Sequence, residues 1–75
     1  MNISSVKELG ELIRSTRKGQ GMTQPEFAGA CGVGVRFIVD LEKGKETCEV
    51  GKVFLVISML GIKVDLKVPE SSELK

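Results

Sequence analysis

The chain has no histidine, tryptophan or tyrosine, and only two cysteines and two prolines in 75 residues. Without histidine it lacks the usual general base near neutral pH and the commonest transition-metal ligand. Cys31 and Cys48 cannot make a four-ligand zinc site by themselves. They read as a buried small hydrophobe and a partly exposed thiol rather than a redox pair. No metal and no cofactor is expected. Neither sign of charge is in excess, since 11 Lys+Arg against 10 Asp+Glu leave +1. Any nucleic-acid binding must therefore come from placed charges, not from a bulk polycation. No run approaches the roughly 18 apolar residues that would span a bilayer. Residues 1–7 hold no signal-peptide core. Gly32-Val33-Gly34 is too short for a phosphate-cradling loop and follows a helix pattern, not a strand, and no nucleophile–base pair is visible. The expectation is a soluble, cytoplasmic, non-enzymatic protein with no membrane partner.

What is present describes one small domain over residues 1–75. The apolar content of 41% is ordinary for a globular chain. A domain this size buries only about 60% of its unfolded surface, so its core is marginal and a partner chain is a natural support. Glycines divide the chain into four short helices and one strand. The spacing predicts helices over 6–18, 24–31, 35–43 and 49–60. Ser5 with Glu8, and Thr23 with Glu26, fit capping boxes. Pro25 stands in a first turn, where its missing N–H costs little. Thr47 is expected to open the fourth helix, with Val50, Val53, Phe54, Ile57 and Leu60 as its apolar positions.

The period then changes. Ile62, Val64, Leu66 and Val68 alternate with Lys63, Asp65 and Lys67, which reads as a half-buried strand over 62–68. Pro69 ends it, and 69–75 reads as a flexible tail. A lone strand needs partners for its backbone donors and acceptors. The simplest partner is the same strand of a second copy, antiparallel across a two-fold axis, which makes these four residues the expected homodimer interface.

Residues 24–43 pair two short helices about a Gly-containing turn, the helix-turn-helix pattern. Small Ala28 allows a close crossing, and Gly32 can supply a positive φ at the turn. Phe27, Cys31, Val33, Ile38 and Leu41 form the shared apolar side. With Gly21-Met22-Thr23-Gln24, Phe27-Ala28, Gly32-Val33, Ile38 and Leu41-Glu42-Lys43-Gly44-Lys45, the chain resembles the Xre/Cro-type helix-turn-helix family, the fold of lambdoid phage repressors. The stretch from Gly32 to Thr47, followed by Gly51-Lys52-Val53 and Leu60-Gly61-Ile62, more narrowly resembles antitoxins of the HipB type. The likeness spans about residues 9–68. It implies an all-α, four-helix, lambda-repressor-like DNA-binding domain whose C-terminal strand pairs across a homodimer. Gly34 departs from the pattern, standing where many members have a polar cap, at a cost of a few tenths of a kcal/mol.

Recognition is expected at the start of the third helix, whose N-terminal residues reach base edges in the major groove. Arg36 suits the O6 and N7 of guanine, Val35 a thymine methyl, and Gly34 a close backbone approach. Asp40 can accept from a cytosine N4 or orient Arg36 by an i,i+4 pair. The second role is favoured because phosphates repel a carboxylate. Lys43 and Lys45 flank Gly44 and suit phosphates, as does Thr23 at a helix N-terminus. Phe37 either packs on Phe54 or lies near the DNA backbone. The resemblance implies that Gln24 bonds a phosphate and braces the recognition helix. It also implies that Arg17 and Glu42 form a structural ion pair.

The implied function is a sequence-specific repressor of an inverted-repeat operator on double-stranded DNA. The narrower resemblance adds the role of a type II antitoxin that regulates its own operon and binds a HipA-type kinase toxin, through either the outer helices or the tail. The alternatives are a stand-alone phage-type repressor and a small interaction module that binds no DNA.

Overall fold

The structure, a computed structural model, describes residues 2–69. Four helices follow in order: α1 (Val6–Gly19), α2 (Gln24–Cys31), α3 (Val35–Glu42) and α4 (Val50–Met59). The architecture is all-α, with no strand among the described residues. Residues 62–69 follow α4 without regular secondary structure, and the tail expected over 69–75 lies, beyond Pro69, outside the described residues.

Local chemistry accounts for the helix ends. At α1, the Ser5 hydroxyl accepts from the Glu8 N–H at 3.1 Å. The Glu8 carboxylate reaches one residue further back, accepting from the Ser4 N–H at 2.7 Å and its hydroxyl at 2.9 Å. The reciprocal half of the expected box is thus made with Ser4, not Ser5. At α2 the capping box is complete: Thr23 accepts from the Glu26 N–H at 3.2 Å, and Glu26 accepts from the Thr23 N–H at 2.9 Å. Gly32 then ends α2 at φ 73°, a left-handed conformation that a side chain resists, and the Val33 N–H donates back to the Ala28 carbonyl at 3.0 Å. α4 opens at Glu49 rather than Thr47, with no side-chain cap.

The core is formed by Ile13 of α1, Phe27, Ala28 and Cys31 of α2, Ile38 and Leu41 of α3, and Val56 and Ile57 of α4 with Leu60 after it. Burying each of the large apolar side chains among them stabilises the fold by about 1.5–3 kcal/mol. α3 lies against both α1 and α2, while α4 packs on α2. Gly10 permits the first of these contacts. A methyl group there would overlap the backbone carbonyl oxygens of Leu41 and Glu42. Gln20 ties the loop after α1 to the end of α4, its Nε2 donating to the Leu60 carbonyl at 2.9 Å.

The inward face of α4 differs from the expectation. Val53, Val56, Ile57 and Leu60 face the core, whereas Val50 and Phe54 are exposed. α4 is apolar on nearly all sides, so its periodicity cannot select a face. Packing against α2 selects it. Ile62 also folds back onto its own chain: its N–H closes on the Ile57 carbonyl at 3.1 Å, and its side chain packs half-buried on the core.

Candidate nucleic-acid interface

The exposed side of α3 carries Val35, Arg36, Val39, Asp40 and, just past its end, Lys43. At 100° per residue these fall on one face, opposite the buried Ile38 and Leu41. Gly34 precedes them with no side-chain cap and open space where a Cβ would stand. The way to the start of α3 is therefore clear. Val35 is 42% exposed. The Arg36 side chain is 79% exposed, and its Nε lies 3.1 Å from Asp40 Oδ1. Asp40 is only 16% exposed and is taken up by its own chain, with Lys45 Nζ 3.5 Å from its second oxygen. The Lys45 N–H also donates to the Asp40 carbonyl at 3.0 Å, which pins the loop to the helix.

Behind this face is a buried polar hub. Arg17 Nε and Nη2 donate to the two oxygens of Glu42 at 2.7 and 3.0 Å. Arg17 Nη1 donates to the Met22 carbonyl at 2.7 Å. Gln24 Nε2 donates to the same Glu42 oxygen that Nη2 uses, at 3.0 Å. The Glu42 carboxylate thereby joins α3 to α1 and α2, and Arg17 ties in the loop between those two. The hydrogen bonds that Arg17 donates to Glu42 raise its pKa above the ordinary value. No buried side-chain nitrogen or oxygen lacks a partner among the described residues. The hub sets the angle between the start of α2 and the exposed face of α3. It also holds Gln24 at the rim of that face, beside the exposed N-terminus of α2 with Thr23.

Sequence reading ranked Arg14 behind Lys43 and Lys45 as a phosphate contact, and missed both Lys7 on this rim and Lys52 beside Phe37. Lys7 and Arg14 of α1 line a groove together with Glu11, Gln24, Val39, Glu42 and Lys43. Their i,i+7 spacing on one helix face was the available signal, but the contact of α1 with α3 decides where that face points. Lys52 of α4 lies 5.8 Å above the Phe37 ring. Phe37 itself packs against the core rather than standing free on the surface. Thr23, Lys43 and Lys45 are exposed. Cys31 and Cys48 are both free thiols, and burial pushes the Cys31 pKa up. No cluster of metal-binding side chains occurs among the described residues, and no helix there is long and apolar enough to cross a membrane.

The two short helices and their turn define a helix-turn-helix fold, and solved structures share it over nearly the whole chain. The HipB–O4 20-mer complex matches with a TM-score of 0.81 and 21% identity, over 93% of this chain and 99% of that one. The HipA–HipB–O2–O3 complex matches with a TM-score of 0.82 at the same identity and coverage. No family model matches the chain. In sequence it is 48% identical over 67 residues to y4mF of Sinorhizobium fredii (strain NBRC 101917 / NGR234), an uncharacterized HTH-type transcriptional regulator, covering 89% of this chain and 88% of that one. The chain belongs to the HTH-type transcriptional regulators.

Proposed function

We infer that the protein is a homodimeric, sequence-specific DNA-binding repressor, and the antitoxin of a type II pair that regulates its own operon and binds a HipA-type kinase toxin. One observation carries the DNA reading: an exposed α3 face led by Val35 and Arg36, with an open Gly34 before it and Thr23, Gln24, Lys43 and Lys45 around it. Arg36, Val35 and the Gly34 backbone are assigned to bases. Thr23, Gln24, Lys43 and Lys45 are assigned to phosphates. Asp40 supports Arg36. The HipB-like fold supports the antitoxin reading, since solved HipB structures include a complex with an O4 20-mer and one with HipA and O2–O3. Such a protein works in the cytoplasm, on the nucleoid.

The second copy is assigned to the surface the single chain leaves bare. Val64, Leu66 and Val68 are 47%, 81% and 61% exposed. They leave directly from the end of α4, whose outward Val50, Phe54, Leu55 and Met59 are also uncovered. Ile62 anchors the base of this segment to its own core, so pairing across the two-fold falls to the three residues beyond it. The dimer presents two α3 faces to an inverted repeat.

The test is binding to the DNA upstream of its own gene across a salt series, with an unrelated duplex as control. Tight binding to the upstream DNA alone, falling with salt, is the expected result. A substitution that abolishes one phosphate bond per protomer abolishes two per dimer. Lys43→Ala should therefore flatten the slope of log K against log salt by about 2. Equal weak binding to both duplexes would replace this reading with a protein-interaction module. Co-purification with a kinase encoded beside it, and loss of that kinase's activity in the complex, tests the antitoxin role separately.

A further inference from the structure

We propose that Asp40 determines how Arg36 reads a base, holding the guanidinium so that its two terminal nitrogens meet a guanine. The inference rests on the DNA-binding reading above. Arg36 is mostly solvent-exposed, and its Nε lies 3.1 Å from Asp40 Oδ1 as an ion pair rather than a directed hydrogen bond. Its two Nη groups make no bond to the chain among the described residues. A guanidinium drawn by charge to a carboxylate on its Nε side leaves its far end as a two-donor fork, which matches the O6 and N7 acceptors of guanine. Asp40 is itself held in place. Lys45 Nζ sits 3.5 Å from Oδ2, and the Lys45 N–H bonds the Asp40 carbonyl at 3.0 Å. One carboxylate thus ties the proposed base reader to a proposed phosphate-binding lysine.

The same carboxylate carries a cost that makes the proposal testable. It places negative charge on a face meant for phosphates, so it weakens binding to any DNA. Removing the charge should therefore move two readouts in opposite directions. A variant that merely damaged the fold would lower both.

The experiment selects duplexes from a randomised library with the wild type, Asp40→Asn, Asp40→Glu, Arg36→Ala and the Arg36→Ala/Asp40→Asn double variant. Binding to an unselected random duplex is measured alongside, and thermal melts check the fold. The wild type should enrich a guanine in each half-site that Arg36→Ala no longer selects. Asp40→Asn should lower that preference by about 5- to 10-fold, within the discrimination one bidentate pair supplies. It should raise random-duplex affinity about twofold or more at low salt. Asp40→Glu should recover part of the preference, and Asp40→Asn should change base preference no further once Arg36 is alanine, while still raising random-duplex affinity. An undiminished guanine preference in Asp40→Asn, or an effect on base preference that persists without Arg36, overturns the proposal. Enrichment that does not depend on Arg36 overturns it while leaving the DNA reading intact. No enrichment by the wild type overturns both.

Discussion

Glu42 shows how much one side chain can decide in a small domain. Both its oxygens are occupied, by Arg17 and Gln24, and it is 7% exposed. Glu42→Ala would strand the Arg17 guanidinium in the interior, a change that costs about 3–5 kcal/mol. A chain this short has a total stability of roughly 4–11 kcal/mol at the usual value per residue. Urea titrations followed by circular dichroism should show the unfolding free energy of Glu42→Ala lowered by about that amount, a large share of the total. The Arg17→Met/Glu42→Met pair should be more stable than either single change, because it removes both charges together. Gly10 makes a second demand, for space. Gly10→Ala must push α1 away from the Leu41 and Glu42 backbone. Overpacking of this kind costs about 1–3 kcal/mol. The same titration should place its midpoint well below wild type, although alanine is the better helix former.

At the scale of elements, the caps couple the fold to pH. The Thr23 backbone N–H, and then its hydroxyl, hold the Glu26 carboxyl below its ordinary value of 4.5. The Ser4 backbone N–H, and then its hydroxyl, do the same for Glu8. A carboxyl with a depressed folded pKa adds stability above its unfolded value, and that stability is lost as pH falls through the folded one. The melting temperature should therefore fall as pH drops below the ordinary carboxyl value, and Glu26→Gln should flatten part of that drop. The four helices were legible because glycines and capping residues punctuate a helical period. The inward face of α4 was not legible. Val50 and Phe54 share its apolar character with Val53 and Ile57, and only contact with α2 turns the latter pair inward.

For the whole molecule, the decisive surface is the one without a cover. Leu66 is 81% exposed, and Val64 and Val68 are largely so. Val64→Asp with Leu66→Asp should leave helix content unchanged, since neither side chain belongs to the core. Sedimentation should report a monomer, and binding to the upstream duplex should weaken sharply as the two half-sites cease to act together. A normal dimer from this variant would remove the strand-pairing proposal.

The residues by themselves determined the class of protein and its order of elements. Capping residues, glycine turns and a 3.6-residue period act over a few positions, and a linear chain displays them openly. They also brought Arg36, Asp40 and Lys43 onto one helical stripe. What the chain could not display is what depends on helices meeting. Only packing of α1 on α3 brings Lys7 and Arg14 to the rim beside Gln24 and Lys43. The Arg17–Glu42 pair was expected through the family resemblance alone, and only the crossing of α1, α2 and α3 brings Gln24 and the Met22 carbonyl onto it as one hydrogen-bonded hub. Ile62 reads as one more step in an alternating strand, but in the folded molecule it closes α4 and joins the core. Short-range conformational preference is written residue by residue, whereas burial and charge pairing are settled between surfaces that exist only once the chain has folded.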